Sequence, residues 1–280
     1  MTHSGFPERI KWLFCGLLTA APFLVVAEDA KNAKPEWELG IGIGGQALPA
    51  YRGSDEYQLR LAPFPLVNYN GDFLKADDEG IRGEFFADNR FELNVSAELS
   101  LAQDDDDDTL RRGMPELLPT FELGPDLVVN LSGDTVREGW ALHLPVRTVV
   151  ASDFSEIDYI GWVANPHIAF RQKGYIGNWD VVAQAGLLYG SERYHDYFYE
   201  VAPAFETADR QRFNASSGYS GSVFRVGLRQ RVDRLWMGGS LRFDYLGGAT
   251  FEDSPLVEST SSVTLTFGIG WYLSKIGSAD

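Results

Sequence analysis

Phe91-Glu92-Leu93-Asn94-Val95-Ser96-Ala97-Glu98-Leu99-Ser100-Leu101 sets an apolar side chain at every odd position and a small or polar one at every even position. Successive Cβ atoms of an extended chain point to opposite faces, so this alternation marks a strand whose two faces meet different surroundings. Strands of soluble proteins average about 5–6 residues, whereas a tilted strand needs about 9–11 to cross a bilayer. This run has the longer length.

The same pattern recurs on both sides of it. Trp37, Leu39, Ile41 and Ile43 alternate with Glu38, Gly40, Gly42 and Gly44. Phe121 to Leu131, Trp140 to Val146, Phe224 to Leu228 and Leu235 to Tyr245 behave alike, and Val263, Leu265, Phe267, Ile269, Trp271 and Leu273 close the series. Short turns such as Asn70-Gly71, Ala87-Asp88-Asn89 and Val232-Asp233-Arg234 separate some runs, and longer polar loops, 102–116, 190–221 and 246–261, separate others. Aromatic residues stand near the run ends: Trp37, Tyr69, Trp140, Trp162, Trp179, Tyr189, Tyr245, Trp271 and Tyr272. Short turns at one rim, long loops at the other and aromatic girdles are the features of a transmembrane antiparallel β-barrel. About eleven runs can be counted, while bacterial single-chain barrels have an even number of strands. The 57–86 region, interrupted by Pro63, Pro65 and Gly80, is where the count is hardest. We expect an all-β barrel of about twelve strands, with ten as the alternative. A soluble β-sandwich also alternates and is the competing fold.

The N-terminus points to export. Arg9 and Lys11 precede an apolar stretch from Trp12 to about Val26, and Val25-Val26-Ala27 supplies a small-residue cleavage site. That order is a secretory signal peptide over 1–27, leaving 28–280 as the barrel. The only cysteine, Cys15, lies within it, so the exported chain forms no internal disulfide. The net charge is −16; the first segment carries Arg9 and Lys11 against Glu8, a net +1, so the remainder stands at −17. Such a balance disfavours nucleic acid as a partner. No later stretch holds 18 consecutive apolar residues, which excludes a helical membrane span after the first segment. Thr266, Gly268, Trp271 and Leu273 are similar to the C-terminal signal read by the outer-membrane assembly machinery, although seven residues, 274–280, follow.

If the apolar phase faces lipid, Glu92, Glu98, Glu122 and Asp126 face the lumen from earlier strands, and Arg147, Arg171, Arg225, Arg229 and Arg242 from later ones. Such acidic and basic sectors either select small polar solutes or pair across the bore and close it. The 190–221 loop carries Tyr194, Tyr197, Phe198, Tyr199 and Phe205, which suit a protein interface, a plug or packing on the rim. His143 and His167 lie on polar phases, and a hairpin centred near Ser155 would set them opposite one another. No third ligand accompanies them, so no metal site is assigned. Tyr194-His195-Asp196, with Ser191 close by, lacks a hydrolase signature. The aspartate run 104–108 has no turn glycine or spacing for a calcium loop. Gly40-x-Gly42-x-x-Gly45 is followed by Pro49 rather than a helix, so glycines packing on one barrel face account for it better than a dinucleotide site does. No catalytic residue and no cofactor is assigned.

Several segments in order resemble the MipA/OmpV family of MltA-interacting outer-membrane proteins. They are Leu39-Gly40-Ile41-Gly42, Pro49-Ala50-Tyr51-Arg52-Gly53-Ser54, Pro63-Phe64-Pro65-Leu66-Val67-Asn68-Tyr69, Gly218-Tyr219-Ser220-Gly221, and the Asp253, Ser254, Pro255, Leu256, Val257 motif of the last long loop. The resemblance implies a Gram-negative outer-membrane barrel in contact with lipid and lipopolysaccharide. It further implies a non-enzymatic scaffold or binding role, linking a murein-cleaving transglycosylase to a murein synthase. A small-solute channel is the alternative, and a lipid-modifying enzyme a third reading.

Overall fold

The computed structural model describes residues 36–71, 74–77, 80–100, 110–153 and 155–276. The segment 1–27 and the aspartate run 104–108 lie outside the described residues. The strands are β1 (Glu36–Pro49), β2 (Tyr57–Asn70), β3 (Leu74–Asp77), β4 (Gly80–Ala87), β5 (Phe91–Ser100), β6 (Thr120–Ser132), β7 (Gly139–Ser152), β8 (Ile157–Ala164), β9 (His167–Ile176), β10 (Trp179–Gly190), β11 (Gly218–Val232), β12 (Leu235–Tyr245) and β13 (Ser261–Ile276). All pairings are antiparallel, and β13 returns to pair with β1, so the sheet closes on itself. Closure removes the open edge whose backbone groups would go unsatisfied in lipid.

β8 and β9 are two halves of one pass. β7 pairs with β9 from Gly139 to His143 and with β8 from Val146 to Ser152. The interruption is Asn165-Pro166, where the Asn165 side-chain amide donates to the Leu187 carbonyl at 2.8 Å and the Leu187 N–H donates to the Pro166 carbonyl at 3.0 Å. The proline lacks an N–H, and these two bonds carry the ladder past it. The thirteen segments thus make twelve passes, and the ten-strand alternative falls. The difficult 57–86 region resolves into a full β2 followed by the short β3 and β4. Among the described residues, β3 meets β2 only through Tyr69 and Asn70. No other partner on that side of β2 lies among the described residues, a stretch where Pro63 and Pro65, which donate no ladder hydrogen bond, are tolerated.

The apolar phase faces outward. Ile41, Leu99, Phe121, Leu265, Ile269 and Trp271 are all exposed, whereas Glu92 is 2% exposed on the opposite face of its strand. Trp37 and Tyr69 pair at 4.2 Å, and Trp140 and Phe170 at 5.0 Å, at the short-turn end. Tyr272 departs from the expected girdle. It is buried on the inner face, with the Arg231 guanidinium 4.2 Å from its ring centroid.

The 190–221 segment, expected as a polar loop, holds helix α1 (Glu192–Tyr199) and a short 3₁₀ turn at Pro203–Phe205. The Ser191 hydroxyl caps the first turn by accepting from the Tyr194 N–H at 3.3 Å, and Glu192 lies where the helix dipole favours a negative charge. The largest apolar core lies not in the barrel bore but at the loop end, where Ala50, Tyr51, Leu117, Tyr199, Val201, Leu246, Phe251 and Leu256 are buried together.

Candidate functional site in the lumen and its roof

A belt of ion pairs lines the bore in its loop-side half. Arg147 on β7 donates through Nε to Glu122 at 2.8 Å and through an Nη to Glu98 at 2.9 Å. Arg242 on β12 holds Asp244 with two bonds of 2.7 and 2.9 Å, and Asp244 also accepts from Arg52 at 2.8 Å. Three further pairs lie nearer the short turns. Glu92 pairs with Arg137, and Arg229 lies 3.6 Å from Asp180. Arg231 grips Glu38 at 2.6 and 3.1 Å. Arg147 thus meets two carboxylates of the acidic sector, on the nearby strands β5 and β6.

His143 and His167 stand in register on β7 and β9, their rings stacked at 4.7 Å. Asp126 lies 2.8 Å from Nδ1 of His143, and the guanidinium of Arg171 is 3.2 Å from its Nε2. An arginine only donates, so Nε2 accepts and Nδ1–H donates to Asp126, which fixes the tautomer. Nδ1 of His167 faces the Asn165 carbonyl at 2.8 Å. Among the described residues no group of three His, Cys, Asp or Glu is placed to hold a metal ion.

The roof is built from the segments that carry the family resemblance. Tyr199 stacks face to face on Phe251 at 3.7 Å, and its hydroxyl donates to the Arg52 carbonyl at 2.7 Å. Ser254 donates to the Tyr199 carbonyl at 2.8 Å, and Tyr51 donates to the Leu256 carbonyl at 2.7 Å. Of the Asp253–Val257 motif, Ser254 and Leu256 are buried, Pro255 and Val257 half-buried, and Asp253 exposed. Gly53 has φ +106°, a left-handed backbone, and its carbonyl accepts the N–H groups of Glu258 and Ser259. The Tyr197 hydroxyl accepts from the Leu118 N–H at 2.7 Å. Tyr194 packs edge-on to Phe198, and Phe205 is half-buried. Burial raises the phenol pKa of both Tyr194 and Tyr199.

Within this roof Nε2 of His195 is 2.5 Å from the Ser220 hydroxyl, and its Nδ1 is 2.6 Å from the Ser216 carbonyl. Both His195 and Ser220 are 0% exposed. Burial lowers the His195 pKa, opposed by the bond to Ser216. Ser191, the serine nearest in sequence, is instead committed to the helix cap and to the Trp162 N–H. Burial raises the pKa of Asp196, and its carboxylate accepts from the Ala215 N–H.

Toward the short turns, a cavity of about 430 Å³ opens in the bore. Arg171, Arg225, Arg229 and Gln184 line it, together with Phe64 and Trp236. Phe64 and Trp236 meet edge to face at 6.0 Å. They lie on a floor of glycines. A Cβ at Gly42 would come within 2.6 Å of the Phe64 ring, and one at Gly268 within 3.2 Å of Trp236. Neither aromatic was singled out by the sequence reading. Trp236 sits on the polar phase between Leu235 and Met237, and that phase was the signal for it.

A closed sheet of twelve passes with an apolar exterior and a polar, charged interior is an outer-membrane β-barrel. Residues 41–273 match the family described as MltA-interacting protein MipA, and the chain belongs to that family. It is 24% identical over 266 residues to outer membrane protein Omp26La of Vibrio anguillarum, covering 89% of this chain and 91% of that one. It is also 24% identical over 262 residues to the outer membrane protein YiaT of Escherichia coli (strain K12), covering 91% and 96%. Among solved structures, the NanC porin matches with a TM-score of 0.40 at 8% identity, over 83% of this chain and 100% of that one. An outer membrane channel from Pseudomonas putida F1 matches with a TM-score of 0.40 at 13% identity, over 89% and 100%.

Proposed function

We propose that this barrel is a non-enzymatic binding protein of the cell envelope, shut to free diffusion, whose partners are a murein transglycosylase and a murein synthase. The observation that carries the shut barrel is Arg147 held between Glu98 and Glu122 inside the bore, beneath a roof packed on Phe251. The family description supports a murein transglycosylase as partner. The lipid belt holds the protein in the outer membrane, and by the usual barrel orientation the short turns face the periplasm, where murein enzymes work. A hydrolase reading finds little support. His195 and Ser220 are sealed from solvent, and Nδ1 of the histidine faces a backbone carbonyl rather than an acid.

In-cell crosslinking followed by mass spectrometry tests the partners. Recovery of periplasmic murein enzymes is the expected result, and their absence from an efficient crosslinking experiment contradicts it. The cavity beside Arg225 favours a second reading, a small-solute channel, for which conductance is the discriminating property.

A further inference from the structure

We propose that the cavity between Arg225 and the Phe64–Trp236 pair is a binding site for a small ring-bearing carboxylate. This inference is independent of the murein partners. Three charged residues line the cavity, all arginines, and no carboxylate lines it. Two of the three are engaged elsewhere, Arg171 with His143 and Arg229 beside Asp180. Arg225 makes no hydrogen bond or ion pair among the described residues, while every other basic residue named in the lumen has a partner within 3.6 Å. A half-buried guanidinium with no ion pair is costly unless an anion completes it, and Glu98 and Asp244 act on Arg225 only from beyond ion-pair distance. One such cation calls for one negative charge, which favours a monoanionic carboxylate over a phosphate dianion. An arginine fork also matches a carboxylate with two parallel bonds.

The aromatic lining sets the rest of the ligand. Trp236 and Phe64 offer aromatic surface on the glycine floor, a shape that takes a flat ring. A volume of about 430 Å³ lies at the small end of ligand pockets, which run from about 300 to 1,000 Å³. The geometry therefore pairs one anionic contact with one aromatic face, in a chamber below the ion-pair belt.

The test is calorimetric titration of the full, detergent-extracted barrel with benzoate, and with acetate, benzyl alcohol and benzylamine as comparators. Saturable benzoate binding is expected, with the three comparators weaker because each lacks the ring or the negative charge. Arg225→Gln is expected to weaken benzoate about 10- to 100-fold, the scale of a lost charge-assisted bond. Trp236→Leu, which removes the aromatic face, is expected to weaken it several-fold and keeps the test decisive should Arg225→Gln fail to fold. Absence of saturable benzoate binding, equal binding of any comparator, or unchanged affinity in both variants would overturn the proposal.

Discussion

Tyr51 donates its hydroxyl to the backbone carbonyl of Leu256 at 2.7 Å, across 205 residues of sequence. The bond ties the loop after β1 to the loop before β13, and α1 is clamped between them through Tyr199. Most of the family-like segments at the loop end are thereby explained as roof packing. Tyr51→Phe removes the donor and leaves a buried carbonyl unsatisfied, at a cost of about 1–3 kcal/mol. Urea unfolding of the refolded barrel reads this as a lower midpoint with an unchanged slope.

Phe251 is wholly buried and stacks on Tyr199. Phe251→Ala is expected to cost about 3–5 kcal/mol, the range for deleting a core aromatic ring. The loss falls on the roof rather than on the barrel wall. Limited proteolysis should therefore cut within 191–217 while the strands stay protected, and uniform resistance to protease would contradict that division.

Arg147 bonds the half-buried Glu122 and the exposed Glu98, so Arg147→Met leaves two carboxylates without their cation. The expected loss is about 1–3 kcal/mol. Adding Glu98→Gln and Glu122→Gln to the same protein removes those charges and is expected to restore much of it. Additive losses across the three changes would show that the belt does not act as a unit.

His195 gives the roof a pH dependence. Its folded pKa is lowered by burial from the ordinary value near 6.5. The unfolded chain thus binds the proton more readily, and stability rises with pH across the interval. The contribution is whole above about pH 6.5 and is lost as the pH falls toward the folded value. The other groups about the imidazole are Arg52, Ser216, Ser220 and Thr250, and the arginine acts in the same direction as burial. His195→Gln is expected to flatten the midpoint between pH 5 and 7, a change readable by unfolding at several pH values.

The outward phase is testable at the wall. Ile269 faces out, opposite the exposed Ile43 on β1. Ile269→Arg is expected to cost about 2–4 kcal/mol in lipid, against little for Gln46→Lys on the inner face. Equal costs would contradict the assignment of the two faces.

The wall was legible because period two needs only neighbouring residues. Phe91 to Ser100 announces both its pairing geometry and its lipid face. Strand number was harder. Pro63 and Pro65 read as breaks, yet they sit in a continuous β2 that pairs with β1 along its whole length. Asn165-Pro166 splits one pass that a side-chain amide bridges. Helix α1 was hidden because its eight residues, three of them tyrosines among charged neighbours, show no clean apolar stripe, although Ser191-Glu192 was a capping signal. The site was less legible still. Register alone could set His143 against His167, but His195 with Ser220, and Phe64 with Trp236, meet only through closure of the barrel and folding of the loops.

Single-channel recording in a planar bilayer tests whether the barrel is shut by its own belt and roof. Folded, inserted protein is expected to give no steady conductance, and Arg147→Met combined with removal of the roof contact at Phe251 to raise it. Stable open channels from the unaltered protein would contradict that closure.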